Sequence, residues 1–179
     1  MLLTLPRSDA TAEFPPDLPN DGTTASAGGD NTLNGGQGND VLKGGSGDDK
    51  LNGHAGNARL SGGQGDDVLK GGGGDDLLQG GQCDDIVFGG AGDDTFTFSP
   101  FEGNDTFHGG QGWTDTIRLD ADADPNADPG NPWEISVNGE EVEYALAMNS
   151  LEVDAGLVGV ITLSDGSELT FDGVKSITW

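Results

Sequence analysis

Aspartates recur at a fixed interval through the first half of this chain. Asp40, Asp49, Asp67, Asp76, Asp85 and Asp94 lie nine residues, or a multiple of nine, apart. Each follows an Asp or Asn and stands five residues after a glycine. Carboxylates set out this way beside glycine backbone suit coordination rather than catalysis. Glycine allows φ > 0 and tight turns, which leave peptide carbonyls free to point at a ligand. A carboxylate adds an anionic oxygen to those carbonyls. Hard cations of Ca²⁺ size accept about six to eight oxygens in flexible geometry, which such a mixed set supplies.

The elements that must hold these residues follow from the same period. Written in nines from Ser26, the chain reads SAGGDNTLN, GGQGNDVLK, GGSGDDKLN, GHAGNARLS, GGQGDDVLK, GGGGDDLLQ, GGQCDDIVF and GGAGDDTFT, eight frames without a gap. The first and fourth places are each Gly in seven of the eight, so glycines at the first, second and fourth places are expected to take φ > 0 and turn the backbone. The fifth place is always Asp or Asn, and the eighth is always apolar, from Leu33 and Leu42 to Val87 and Phe96. The last three places read as a very short strand with the eighth side chain inward. One such strand buries a single apolar residue, so no repeat folds alone and stacked repeats must share a thin core. After Thr97 the register slips by two and resumes over Pro100 to His108, and a tenth copy with one inserted residue starts at Gly109. These put Asp105 and Asp115 in the ligand place. The candidate metal ligands are the side chains of Asn31, Asp40, Asp49, Asp67, Asp76, Asp85, Asp94, Asp105 and Asp115. Backbone carbonyls of Gly36, Gly38, Gly45, Gly47, Gly63, Gly65, Gly72, Gly74, Gly81, Gly90 and Gly92 complete the candidate set.

The repeated G-G-x-G-x-D-x-U-x, with U apolar, resembles the RTX family of hemolysin-type calcium-binding repeats over residues 26–119. The resemblance implies an all-β fold, a parallel β-roll in which two nonapeptides make one coil. It also implies two rows of Ca²⁺, one along each edge, every ion lying between turns two repeats apart. On that basis the pairs Asn31/Asp49, Asp49/Asp67, Asp67/Asp85 and Asp76/Asp94 are the better sites. Frame four carries His54 for Gly and Ala58 for Asp, so Asp40/Ala58 and Ala58/Asp76 are expected to be weak or empty. Cys83 replaces a turn glycine and is expected to strain its site. From Ser26 to Thr97 there are 12 Asp, no Glu, three Lys and one Arg, a net −8 that about four divalent ions would neutralise.

Composition agrees that apolar burial alone does not hold this chain together. Of 179 residues, 33 are Gly and only 32% are hydrophobic, and the formal net charge is −25. Such acidity repels nucleic acid and anionic membranes and attracts cations. No stretch approaches the ~18 apolar residues of a membrane span, and the three leucines before Pro6 are too few for a Sec-type signal. One cysteine forms no intramolecular disulfide.

The flanks read differently. Residues 1–25, with four prolines, are expected to form a disordered arm, and 120–132 an acidic Pro-rich linker. Asp120, Asp122 and Asp124 suggest an EF-hand loop, but Pro125 stands where glycine is needed and Asn131 where the bidentate Glu belongs. From Trp133 to Trp179 a small β-rich cap is expected, with hairpins at Asn138-Gly139 and Asp165-Gly166 and a short helix between Tyr144 and Val153. The run GVITLSDGSELTFDGVKSI resembles tails that follow RTX arrays in proteins exported by type I secretion. His54 and His108 read as surface or turn residues, and the three Trp as cap packing. No nucleophile–base pair, phosphate loop or metallohydrolase motif is present, so the chain is expected not to be an enzyme. The expected role is a secreted, extracellular module that folds on Ca²⁺. Alternatives are the ancillary C-terminal part of a larger exported enzyme or toxin, or an adhesin whose partner is a surface glycan or protein.

Overall fold

A nine-residue period with one inward apolar residue per repeat makes the chain cross a sheet, turn, and cross back on a second sheet. The computed structural model describes residues 2–4, 11–13, 23–25, 28–99, 102–112, 114–120, 133–141, 150–153, 157–163 and 165–179. All regular structure among these is β. Three short strands come first, β1 (Leu2–Thr4), β2 (Thr11–Glu13) and β3 (Thr23–Ala25). The strict repeats form β4 (Thr32–Gln37), β5 (Val41–Ser46), β6 (Lys50–Ala55), β7 (Arg59–Gln64), β8 (Val68–Gly73), β9 (Leu77–Gln82), β10 (Ile86–Ala91) and β11 (Thr95–Phe98). The frayed copies form β12 (Asn104–Gln111) and β13 (Thr116–Leu119). Then follow β14 (Trp133–Val137), β15 (Glu140–Glu141), β16 (Ser150–Glu152), β17 (Val158–Leu163), β18 (Glu168–Asp172) and β19 (Ser176–Thr178).

Odd strands from β1 to β13, with β19 and β16, make a nine-stranded sheet; even strands from β2 to β12, with β18, β17, β14 and β15, make a ten-stranded one. Within the repeats every pairing is parallel, with an offset of 18 residues, so Leu33 faces Leu51, Leu51 faces Leu69, Leu42 faces Leu60 and Leu60 faces Leu78. Two nonapeptides therefore make one coil of a parallel β-roll. The eighth-place side chains form two stacked columns between the sheets, all at most 2% exposed. Aromatic residues take over toward the C-terminal end, where Phe96 stacks on Phe107 with ring centroids 5.1 Å apart.

The strands are longer than the expected three residues. From β4 to β10 each strand runs on through the first three places of the next repeat; the first-place glycines there are not in the left-handed region, whereas second- and fourth-place glycines are, at φ between 80° and 127°. Two non-glycine residues share that conformation in the array, His54 at φ 70° and Cys83 at φ 81°. For a residue with a Cβ this costs roughly 1–2 kcal/mol. His54→Gly and Cys83→Gly are each expected to stabilise the roll by about 1 kcal/mol, read as a rise in the midpoint of guanidinium unfolding at fixed calcium.

The ends differ from expectation in two ways. Parts of the first 25 residues, read as a disordered arm, are ordered strands: Thr23–Ala25 pairs with Val41–Lys43, Thr11–Glu13 with Thr32–Asn34, and Leu2–Thr4 with Thr23–Ala25. An open parallel edge presents unpaired N–H and C=O groups to any extended chain, and these short triplets pair with it. At the other end both hairpins form, but Ser150–Glu152, placed in a helix by sequence, is a strand against β19; residues 142–149 lie outside the described residues, as do 121–132 of the linker. The C-terminal segment also adds a coil of its own. Strand β18 continues the ten-stranded sheet parallel to β12, and β19 the other sheet parallel to β13, placing Phe171 beside Phe107 and Ile177 beside Ile117. Trp179 packs partly buried against this core, whereas Trp113 and the side chain of Trp133 lie outside the described residues. His108 Nδ1, 2.8 Å from Asp172 Oδ2, ties the last coil to the array, and its ring stacks on Phe88.

Candidate metal centres

The turns from the nine- to the ten-stranded sheet carry Asn31, Asp49, Asp67, Asp85 and Asp105, one above another. The return turns carry Asp40, Ala58, Asp76, Asp94 and Asp115. All ten residues are at most 3% exposed. Within each row one carboxylate oxygen is engaged by the backbone of the turn below. Asp67 Oδ1 accepts from Asp49 N–H at 2.7 Å, Asp85 Oδ1 from Asp67 at 2.8 Å, and Asp94 Oδ1 from Asp76 at 2.9 Å. The same rung joins Asn31 to Asp49, and it persists through the frayed copies, joining Asp85 to Asp105 and Asp94 to Asp115.

The second oxygen is another matter. Oδ2 of Asp49, Asp67, Asp76, Asp85, Asp94 and Asp105 is buried and has no hydrogen-bond partner. A buried carboxylate oxygen left unmatched costs several kcal/mol unless a proton or a cation serves it. Burial accordingly pushes these groups up from the ordinary 3.8: Asp76 to about 6, Asp67, Asp85 and Asp94 to about 7, and Asp105 to about 8. Burial raises Asp49 and Asp115 as well, Lys175 partly opposing it at Asp115.

Except at Asp105, whose repeat begins with Pro100, each orphaned oxygen lies against the first-place glycine of its own turn, where a Cβ would collide with it. A Cβ on Gly62 would lie 2.6 Å from the Gly80 carbonyl oxygen and closer still to Asp67 Oδ2. Gly71 is set the same way against Gly89 O and Asp76, and Gly89 against Gly109 O and Asp94. Carboxylate and peptide oxygens from turns two repeats apart thus border one small cradle. This donor set, all oxygen and net anionic, fits a hard divalent cation. No cluster of three His, Cys, Asp or Glu side chains occurs among the described residues, so peptide oxygens must complete any coordination shell.

Comparison with known proteins agrees with this chemistry. The RTX calcium-binding nonapeptide repeat, in four copies, matches residues 26–60, 61–96 and 102–124. The chain belongs to the RTX family. Its repeats are calcium-binding repeats, and the β-roll expected from the resemblance is the fold observed. No curated protein matches the chain.

Two features of the RTX turns are absent from the sequence reading. The first-place glycines, whose carbonyls border the cradles, stand outside the candidate ligand set; their recurrence in seven of eight frames is the signal. The fifth-place Asp and Asn residues form a separate ladder, exposed and running the other way. Asp48 Oδ1 accepts from Asp66 N–H, Asn57 Oδ1 from Asp75 N–H, and Asp84 Oδ1 from Asn104 N–H. Only an acceptor is needed there, which is why Asp and Asn interchange.

At Ala58 the cradle holds a methyl group, with Gly53 facing Ala58 Cβ and Gly71 O, while Asp76 Oδ1 still accepts from Ala58 N–H at 2.7 Å. Ala58→Asp is expected to raise the number of bound calcium ions by about two, since both rungs through residue 58 regain their carboxylate. Metal analysis after equilibrium dialysis reads this directly, and an unchanged stoichiometry would refute it.

Proposed function

We propose that this protein is an extracellular module, exported unfolded, whose roll forms when Ca²⁺ fills the two edges. The observation that carries this reading is the row of buried carboxylate oxygens without partners. Six rungs join two turns that each carry Asp or Asn, so about six ions are proposed, held by those side chains and by turn carbonyls. The glycines at the second and fourth places remain candidates for part of the shell, with the first-place carbonyls beside them. Extracellular calcium modules bind at ~10⁻⁴–10⁻³ M. At ten times that Kd each ion contributes about 1.4 kcal/mol, so six supply about 8 kcal/mol, comparable with the whole net stability of a domain, ~5–15 kcal/mol. Where calcium is scarce that contribution vanishes, and an unfolded chain suits export through a type I channel. The resemblance of residues 159–177 to tails of exported RTX proteins supports the same route.

Far-UV circular dichroism in EGTA, followed by titration with Ca²⁺, tests the proposal. Coil at neutral pH in EGTA and a cooperative gain of β signal at millimolar calcium are expected. A full β spectrum in EGTA, unmoved by calcium, would overturn it.

A further inference from the structure

The aspartates lie on the edges of the roll, and the cations lie on its faces. Three of the seven Lys and Arg residues in the chain, Lys43, Arg59 and Arg118, surround one shallow groove of about 400 Å³ on the outer face of the nine-stranded sheet. One wall is the seventh-place column, with Arg59 and Leu77; the other is the ninth-place column, with Lys43, Ser61, Gln79 and Arg118. The groove crosses β5, β7, β9, β11 and β13 at right angles to the strands. With strands ~4.8 Å apart, Arg59 stands about 5 Å along the groove from Lys43, and Arg118 about 19 Å along it.

None of these five strands contains a carboxylate. Among the described residues the ion pair is His108–Asp172, on the other sheet. Among the described residues these three exposed cations make no ion pair, in a chain with 32 acids; the Glu102 carboxylate beside the groove is held by Gln79 Nε2 at 3.3 Å and Ser99 N–H at 2.7 Å. Solubility does not require them, since net charge is already far from zero.

We propose that this groove binds a linear anionic polysaccharide, its acidic groups on Lys43, Arg59 and Arg118 and its hydroxyls on Ser61 and Gln79. The shape favours that ligand over others. An extended peptide gains affinity from backbone hydrogen bonds at a sheet edge, whereas here the ligand would cross the face of a sheet whose main chain is already paired. A single-stranded nucleic acid would look for aromatic stacking, and no aromatic ring lines the groove. The groove needs a folded roll but does not depend on which ions fold it.

The test uses the full chain in millimolar calcium, with folding verified by circular dichroism in every sample. Labelled dextran sulfate is expected to bind with an affinity that falls as NaCl rises, and neutral dextran is not. The triple variant Lys43→Ser/Arg59→Ser/Arg118→Ser is expected to bind at least tenfold more weakly, and Lys50→Ser, on the opposite sheet, to bind like the parent. Arg118→Ser alone is expected to weaken binding severalfold, which reads the proposal even if the triple variant does not fold. A folded protein that ignores dextran sulfate would overturn the groove. So would Arg118→Ser and the triple variant both binding like the parent, or poly-glutamate or single-stranded DNA binding as tightly as the glycan. A chain that stays coil in calcium counts instead against calcium-driven folding, and binding is then read under the acidic conditions that fold it.

Discussion

In EGTA, lowering the pH from 8 to about 5 is expected to fold the roll without any metal. Asp67, Asp85 and Asp94 sit at about 7 in the folded protein, Asp76 at about 6 and Asp105 at about 8, against 3.8 for the unperturbed side chain. Glu102, buried and accepting from Ser99 N–H, is also pushed up to about 7. Burial is the principal cause in every case. Because these values are raised, the folded chain holds more protons than the unfolded one between about pH 4 and pH 8. Stability is therefore full below the unfolded value and falls as pH rises through the folded values. Each pH unit of displacement is worth about 1.4 kcal/mol per group, so five or six carboxylates together shift the balance by on the order of 10 kcal/mol. A proton on Oδ2 stands in for the missing cation. At pH 5 the chain remains above its pI of about 4.1 and keeps net negative charge. Far-UV circular dichroism against pH reads the transition, and a coil spectrum at pH 5 indistinguishable from that at pH 8 would refute it. Near pH 5, where the metal-free roll is folded and these carboxylates hold protons, calcium binding is then expected to release them, and its midpoint to rise as pH falls.

Gly62→Ala is expected to raise the calcium midpoint of folding tenfold or more. The substitution puts no strain on the backbone, since Gly62 has no positive φ, and alanine ordinarily gains from the stiffer unfolded chain. Its Cβ would instead fill the cradle, overlapping Asp67 Oδ2 and the Gly80 carbonyl. Gly73→Ala is the matched control. It lies at a third place, where the nearest atom to its Cβ would be His54 O at 3.9 Å, and its midpoint is expected to stay within about twofold of the parent. Equal midpoints for the two variants would show that the space beside the first-place glycine holds nothing that matters.

The architecture of the array was legible because one residue type at one place does one job. Leu33, Leu42, Leu51, Leu60, Leu69 and Leu78 repeat at nine, which requires stacked repeats with a shared core, and the resemblance to the RTX family implies the two-repeat coil. The sixth-place aspartates marked the edges for the same reason. What escaped reading depends on neighbours eighteen residues away. The first-place glycines look like turn residues until the carbonyl of the next coil is set against them. The fifth-place ladder is visible only once Asp66 N–H stands above Asp48. The last coil, with Phe171 and Ile177 six residues apart rather than nine, keeps one turn glycine, Gly173, whose carbonyl faces Gly109, but has Lys175 where the repeat has its aspartate, so only its pairing with β12 and β13 reveals it. The N-terminal strands, of which only Leu2–Thr4 is rich in apolar residues, lack the repeat's glycines and aspartate and are ordered by the edge they meet.

The exposed fifth-place ladder separates acidity from architecture. Asn39 and Asn57 already hold their rungs with an amide oxygen, so Asp48, Asp66, Asp75, Asp84 and Asp93 could all become asparagine with every acceptor retained. Such a chain would lose five negative charges while its rows of buried aspartates stayed intact. Its isoelectric point and colloidal behaviour are thus adjustable traits, inherited independently of the metal chemistry a few ångströms inward.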